Sequence, residues 1–169
     1  MNEGTGGSIV LAIIVVAIAF IMSYLAYNVN YTKAFRMKNK VISLYEKCGG
    51  HCYGQCKNDI IQYRKDIGYD PKAITNCRNI PFKPDNAELV DNSAGNGYCV
   101  FKVVEHKTEN SQIVPEYQSS SRYYYRVITR INIVVPIVNN IFDLGALYVT
   151  GDTEMFYPQK ESSIPSYCR

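Results

Sequence analysis

The chain has 169 residues, of which 47% are hydrophobic and 20% are charged, and its formal net charge at pH 7 is +3. This composition is that of a folded domain, and the small net charge argues against nucleic acid as a partner. The fifteen tyrosines fit both a strand-rich core and a binding surface, so they do not separate these two interpretations.

The segment from Ile9 to Tyr27 contains no Asp, Glu, Lys, Arg or His. A helix of this length, at about 1.5 Å of rise per residue, crosses a hydrocarbon layer of about 30 Å with its backbone polar groups bonded internally. A signal peptide fits less well, because the preceding residues lack Lys and Arg and the apolar core is longer than roughly 15 residues. We therefore predict a short leader at 1–8 and a transmembrane helix at 9–27 that holds the chain in membrane lipid.

Helical periodicity continues beyond the apolar run. Apolar and aromatic side chains recur at three- and four-residue steps from Tyr24 to Tyr45, and no Pro or Gly interrupts the segment from Ile9 to Cys48. The pair Gly49-Gly50 then supplies a stop. The sequence predicts one long helix whose second half, 28–48, is an amphipathic stem, followed by a head domain at 49–169.

Two rules give opposite orientations for the head. Five basic residues follow the apolar run whereas the leader carries only Glu3, so the positive-inside rule places the head in the cytoplasm. Six cysteines, all outside the apolar run, favour disulfides and an oxidising compartment. We give the cysteines more weight, because a short leader carries little topological information, and expect a single-pass protein of the cell membrane with an extracytoplasmic C-terminal domain. The basic residues are Lys33, Arg36, Lys38, Lys40 and Lys47, and the disulfide candidates are Cys48, Cys52, Cys56, Cys77, Cys99 and Cys168.

The stretch CGGHCYGQC, at 48–56, places three cysteines at four-residue steps around His51. This is not a usual zinc spacing, and its glycines favour a bent loop. A catalytic thiol with His51 as its base has no identifiable supporting group. Disulfides from this loop to one of the other three cysteines are the preferred interpretation, although fifteen pairings are formally open.

The rest of the head is predicted to be a small helix followed by strands. An amphipathic helix at 58–67 ends at Gly68, and 73–96 is rich in turn signals. Strands are predicted at 98–105, 122–135 and 147–157, of which the second shows clear period-two alternation.

These elements predict an α+β fold in which the long helix packs on a small antiparallel β-sheet and disulfides tie the head. Within the last strand, Gly151 suggests a bulge or a twist. The C-terminal tail is expected to be pinned to the body by Cys168.

Three segments together carry a family resemblance. They are Gly6-Gly7-Ser8 before the apolar run, the stem from Tyr27 to Lys47, and the closing unit from Arg126 to Tyr157. On these segments the chain resembles type IV pilin-like proteins, and within them the TadE-like minor pilins, or pseudopilins, of Gram-positive bacteria. Unlike those of the family, this leader has no basic residue, and Ala12 stands where a Glu would follow a cleavage after Gly7.

The resemblance implies a non-enzymatic component of a pilus or of a type IV-type secretion or assembly system, with no cofactor and no nucleic acid. Its partners would be membrane lipid and other pilin-like or assembly-machinery subunits, contacted through the N-terminal helix. Small residues allow helix backbones to approach closely. The helix-packing candidates are Gly6, Gly7, Ala12, Ala17 and Ala19.

Two other classes of function fit the sequence less well. A bitopic envelope adhesion or entry protein with a disulfide-stabilised ectodomain would recognise its partner through the tyrosine-rich surface and the loop at 80–97. An enzyme is not expected, because no nucleophile, phosphate-loop or metal-protease motif is present in the sequence.

Overall fold

A computed structural model describes residues 3–70, 74, 76–85, 87–105, 122–131, 147–157 and 164–168. Within these ranges the chain forms two α-helices, four β-strands and two short 3-10 helices. The α-helices are α1 (Glu3–Lys47) and α2 (Gly54–Asp66), the strands are β1 (Glu88–Asp91), β2 (Tyr98–Glu105), β3 (Arg122–Ile131) and β4 (Leu147–Asp152), and the 3-10 helices are Ala94–Asn96 and Ser166–Cys168.

Helix α1 is continuous through the predicted anchor and stem, which confirms a single long helix. It begins at Glu3 rather than at Ile9, so part of the predicted leader is helical. Its end is as predicted: Gly49 and Gly50 have positive φ angles of 56° and 89°, and the Gly50 amide donates a hydrogen bond to the Tyr45 carbonyl at 2.8 Å. Glycine adopts this left-handed conformation without steric cost, so the pair ends the helix.

The C-terminal half of α1 packs on the sheet. Side chains at three- and four-residue steps along one face are buried, as expected for a helix with one apolar stripe. The four strands are antiparallel in the order β1-β2-β3-β4, and the Thr129 hydroxyl on β3 donates a hydrogen bond to the Ala34 carbonyl at 3.1 Å. The α+β prediction is therefore confirmed. The buried residues of α1 are Ala34, Met37, Lys38, Val41, Leu44 and Tyr45.

The alternation predicted for β3 is present. Tyr123, Tyr125, Val127, Thr129 and Ile131 are buried, whereas the two arginines between them are half-buried. On the opposite face of the sheet, Ile128 packs in a second cluster with the Cys77 and Cys99 side chains. The sheet is thus covered on both sides near its centre. The predicted continuation to 135 lies outside the described residues.

Strand β1 was missed by sequence reasoning, which predicted loop through 73–96. Its four residues, ELVD, lie between turn signals and give no run of β-branched side chains. Its importance lies in Asp91, whose buried carboxylate accepts hydrogen bonds from Lys57 Nζ at 2.9 Å, Ser93 Oγ at 2.6 Å and the Tyr98 hydroxyl at 3.1 Å. This carboxylate joins α2 to the sheet, and its hydrogen bonds offset the cost of burying its charge.

The last predicted strand is shorter than expected. Strand β4 ends at Asp152. Beyond it the Thr153 amide still donates to the Tyr125 carbonyl at 3.0 Å, but the Tyr125 amide donates to the Thr153 side chain, at Oγ1, at 3.0 Å and not to a backbone carbonyl. Pairing resumes only as an isolated bridge between Tyr123 and Phe156. The predicted strand over 147–157 is therefore correct for its first half.

Gly151 makes close packing possible and is not a bulge. It pairs in regular register with Val127, so the bulge, one of the two predicted alternatives, is not present. A side-chain carbon placed on Gly151 would lie 2.8 Å from Lys38 Cδ and 2.9 Å from Ile42 Cδ1. The missing side chain lets α1 lie close to β4.

All six cysteines are paired. Cys48 is bonded to Cys168, Cys52 to Cys56, and Cys77 to Cys99. The tail is therefore pinned as predicted, and the loop is joined to a distant cysteine through Cys48. The bond from Cys52 to Cys56 lies within the loop and was not predicted.

Helix α2 starts earlier than its predicted start at Asn58. It begins at Gly54, and the residue before it, Tyr53, makes no capping hydrogen bond through its side chain. Cys56, in the first turn, is instead held by its bond to Cys52. A covalent link thus takes the place of the polar cap by which such a start is normally recognised.

The head is expected to unfold at alkaline pH because four of its tyrosines are buried. Burial raises the pKa of Tyr45, Tyr69, Tyr98 and Tyr125 well above the ordinary value of 10. Below pH 10 the folded and unfolded chains both hold these protons. Above it only the unfolded chain releases them, so the free energy of unfolding falls by about 1.4 kcal/mol per pH unit for each tyrosine.

We expect cooperative unfolding between pH 10 and about 12, followed by tyrosinate absorbance and far-ultraviolet circular dichroism. A Tyr125→Phe variant removes one of the four protons and should show a shallower dependence over the same window. The prediction is wrong if the circular dichroism of the head is unchanged and its tyrosines stay protonated through this window.

Candidate functional site

The N-terminal half of α1 contributes no residue to the described hydrophobic core. From Gly6 to Leu25 almost every side chain is exposed, and the large apolar ones are 52–66% exposed. This is far more contiguous apolar surface than a soluble monomer normally presents. Among the described residues, one helix, Gly6–Lys47, is long and apolar enough to cross a membrane, and its most apolar 18-residue window is 0% buried.

The polar side chains in and just beyond this segment are satisfied by the helix itself. Ser23 Oγ donates to the Ala19 carbonyl at 2.7 Å, Asn28 Nδ2 to the Tyr24 carbonyl at 2.9 Å, and Thr32 Oγ1 to the Asn28 carbonyl at 2.8 Å. Bonds of this kind leave Ser23 with no unmet donor. The surface from Ile9 to Leu25 is thus chemically suited to an environment without water.

An aromatic row marks the end of the apolar surface. Tyr27 stacks on Tyr31 with ring centroids 6.1 Å apart, and Tyr31 stacks on Phe35 at 6.2 Å. Tyr24, one turn earlier, is 66% exposed. Tyrosines of this kind favour the boundary between hydrocarbon and water, because the ring is apolar and the hydroxyl is hydrated.

The predicted helix-packing residues form no part of the described hydrophobic core. Gly6, Gly7, Ala12 and Ala17 are exposed and Ala19 is half-buried, and a side-chain carbon on either glycine would meet nothing within 4 Å. They do not form one stripe. Ala12 and Ala19, seven residues apart, share one helix face, whereas Gly6 and Ala17, eleven apart, share another.

Ala26 belongs with the first of these two faces and was missed. It is half-buried and stands seven residues after Ala19, so Ala12, Ala19 and Ala26 line up along about four turns of helix. The seven-residue recurrence of alanine was the available signal. Eleven and eighteen residues after Ala26, the same side of the helix carries Met37 and Leu44, which are buried in the core of the head.

The basic residues after the apolar run mostly have partners within the head. Lys33 Nζ donates to the Gly68 carbonyl at 3.1 Å, at the C-terminal end of α2. Lys40 Nζ lies 5.5 Å from the Tyr63 ring centroid and Lys47 Nζ lies 4.7 Å from that of Tyr167. These contacts give the positive charges a role in packing that does not depend on which side of a membrane they occupy.

Lys38 is the most deeply placed of the basic residues. It is 9% exposed, against β4, and its Nζ lies 4.3 Å above the Phe35 ring. Burial lowers the pKa of the Lys38 ammonium, partly offset by the nearby charge of Asp152. Its long aliphatic stem packs where Gly151 leaves room.

The cysteine-rich loop offers no thiolate for a metal or for catalysis. Its three cysteines, at positions 48, 52 and 56, are all in disulfides. His51 Nδ1 lies 3.2 Å from the Gly49 carbonyl. Across the described ranges, no cluster of three or more His, Cys, Asp or Glu side chains is arranged to hold a metal ion, and the second histidine, His106, lies outside those ranges.

Comparison of the chain with protein-family models, with curated proteins and with solved structures gives no match. The architecture itself is pilin-like: a long N-terminal helix, apolar and exposed in its first half, packs its second half on a four-stranded antiparallel sheet. Disulfides tie the head and are typical of a domain outside the cytoplasm.

Proposed function

We propose that the chain is a non-enzymatic, membrane-anchored subunit of a pilus or of a type IV-type secretion or assembly system, of the TadE-like minor pilin kind. One observation carries the proposal: α1 is unbroken from Glu3 to Lys47, with an apolar half that nothing in the described head covers and a half that packs on the sheet. One continuous helix therefore connects the proposed anchor to the head.

Anchoring follows from the exposed apolar surface. Thirteen large side chains between Ile9 and Leu25 are more than half exposed, and moving each from water to lipid is favourable by on the order of 1 kcal/mol. The helix backbone needs no partner in lipid because its hydrogen bonds are internal. Membrane lipid is therefore the first proposed partner, over residues 9–27.

An extracytoplasmic head is supported by two independent features. Its three disulfides would be reduced in most cytoplasms. Its basic residues at 33, 38, 40 and 47 are engaged in packing and capping within the head, which weakens their value as a topological signal. We therefore assign the C-terminal domain to the outer side.

Assembly is supported by the helix face that carries Ala12, Ala19 and Ala26. In lipid, helices associate through close packing of small residues rather than through the hydrophobic effect. The proposed contact is therefore side by side, between α1 helices of neighbouring pilin-like or machinery subunits.

Cysteine crosslinking in cells tests the assembly role. Because all six native cysteines are paired, a single cysteine introduced anywhere from Ile9 to Phe35 would be the one free thiol. We expect oxidative crosslinks to a second copy or to a partner subunit, with yields that peak about every 3.6 residues and are highest near Ala12, Ala19 and Ala26.

The matched control is Lys83→Cys, at an exposed site of the head six residues from the nearest cysteine in the chain, which should give only background crosslinking. Uniform or absent crosslinking along α1 would contradict assembly through the helix. In that case a tethered adhesion or entry protein, whose helix is only an anchor, becomes the better account.

A further inference from the structure

A groove lies where α1 leaves the head. It has a volume of about 510 Å³ and is lined by one face of α1 and by the last residues of α2. This volume falls within the range of ligand clefts. The lining residues are Asn28, Val29, Thr32, Lys33, Arg36, Asp66 and Ile67.

The position of the groove matches the headgroup region of a bilayer. Its first residue, Asn28, directly follows the proposed anchor at 9–27, and Arg36 lies about 12 Å further along the helix axis. Side chains on an α-helix lean towards its N-terminus, which here is the membrane end. The long side chains of Lys33 and Arg36 therefore start roughly two to two and a half turns above the hydrocarbon and lean back towards it.

The charges in the groove suit a single phosphodiester. Lys33 and Arg36 are positive, and Asp66 is the one carboxylate in the lining. Lys33 is already held in place through Gly68 and keeps two further N–H donors. Within the described contacts, Arg36 is exposed and has no ion-pair or hydrogen-bond partner, so its planar donor fork is available for two oxygens of a phosphate.

Asp66 limits the negative charge of the ligand that the groove can hold. Its Oδ1 accepts a hydrogen bond from Gln62 Nε2 at 2.9 Å, which leaves its negative charge at the rim of the groove. A phosphodiester with one negative charge is tolerated by two cations and one carboxylate. A free phosphate dianion is disfavoured by like-charge repulsion. Val29, which is 53% exposed, and Ile67 offer apolar contact to the glycerol and the first methylene groups of a lipid.

We propose that this groove seats the phosphate of a membrane phospholipid between Lys33 and Arg36, and so fixes the height and tilt of the head above the bilayer. The inference rests on the proposed membrane anchoring. It adds a specific lipid contact outside the hydrocarbon to a helix otherwise held only by its apolar surface.

The test uses the full chain reconstituted in nanodiscs that contain phosphatidylglycerol. Native mass spectrometry after release into mild detergent measures the fraction of protein that retains one phospholipid. We expect retention in the native chain and a roughly tenfold lower affinity for added short-chain phosphatidylglycerol in Arg36→Gln, because one charged donor pair is lost. Arg78→Gln, the same change at an exposed site beside the Cys77–Cys99 bond, should behave like the native chain. Millimolar inorganic phosphate should not displace the lipid.

Equal retention by the native chain and Arg36→Gln would overturn the inference, as would displacement of the lipid by inorganic phosphate. Flotation of the native chain and of Arg36→Gln with lipid vesicles distinguishes failure of the proposed groove from failure of the proposed anchor. An Arg36→Gln chain that floats but has lost the lipid adduct supports the groove. A native chain that does not float contradicts the anchoring itself.

Discussion

Removal of the disulfide between Cys48 and Cys168 is expected to lower the free energy of unfolding of the head by about 5 kcal/mol, which is roughly a third or more of the stability of an ordinary domain. The bond joins positions 120 residues apart, so it constrains nearly the whole head in the unfolded chain. Both cysteines are about 1% exposed. Replacing both by serine therefore also leaves two small polar groups in the core.

The double variant Cys52→Ser with Cys56→Ser is the matched control, because it makes the same chemical change to a buried pair. Its loop spans only 4 residues, and the chain-entropy model gives about 2 kcal/mol for it. Urea unfolding of the full chain in detergent, followed by circular dichroism, measures both. Equal losses for the two pairs would show that the length of the closed loop does not govern the stability of the head.

Gly50→Ala is expected to cost about 3 kcal/mol or more, since it combines two separate penalties. Gly50 has φ of 89°, which no residue with a side chain adopts readily. A side-chain carbon there would also lie within 2.5 Å of the Tyr125 hydroxyl oxygen. That ring cannot move aside easily, because it is 4% exposed and packs against the rings of Tyr45 and Phe156.

Gly68→Ala separates the two penalties. Gly68 also has a positive φ, of 62°, but the nearest atom to an added carbon is the flexible Lys33 Nζ at 3.5 Å. This variant should lose only about 1 kcal/mol, from backbone strain alone. Thermal unfolding of the two variants beside the native chain measures the difference. Equal stabilities would mean that the Tyr125 ring has room to yield.

The long helix and two of the strands followed from the sequence because their patterns extend over many residues. No Gly or Pro interrupts the helical periodicity of α1 between Ile9 and Cys48, and the glycine pair that follows ends the helix. Strand β2 matches its predicted range of 98–105, and β3 begins as predicted at Arg122. In these segments local preference and tertiary packing agree.

The remaining elements depend on contacts that no local pattern encodes. Strand β1 is short and is held in place by pairing with β2 and by the hydrogen bonds of Asp91. The start of α2 depends on a disulfide, and the disulfide pairing depends on the fold. The role of Gly151 could not be predicted, because the residues it packs against are in α1, far away in the sequence.

The candidate site was predicted in part. The extent of the apolar surface and its aromatic border follow directly from composition and spacing. The row that ends at Ala26 required attention to the seven-residue recurrence of alanine, and the groove beside Arg36 depends on where α2 ends in space. A contact between two helices separated by a loop is not visible in either helix alone.

The bond from Cys48 to Cys168 also sets the path of mechanical force through the molecule. Tension applied between the N-terminal helix and the C-terminal end of the chain passes across this one covalent bridge. The 120-residue interval between the two cysteines is bypassed, and the strands of the sheet carry none of the pull. Such tension is carried by α1 and by the sulfur–sulfur bond, and it does not pull directly on the strands.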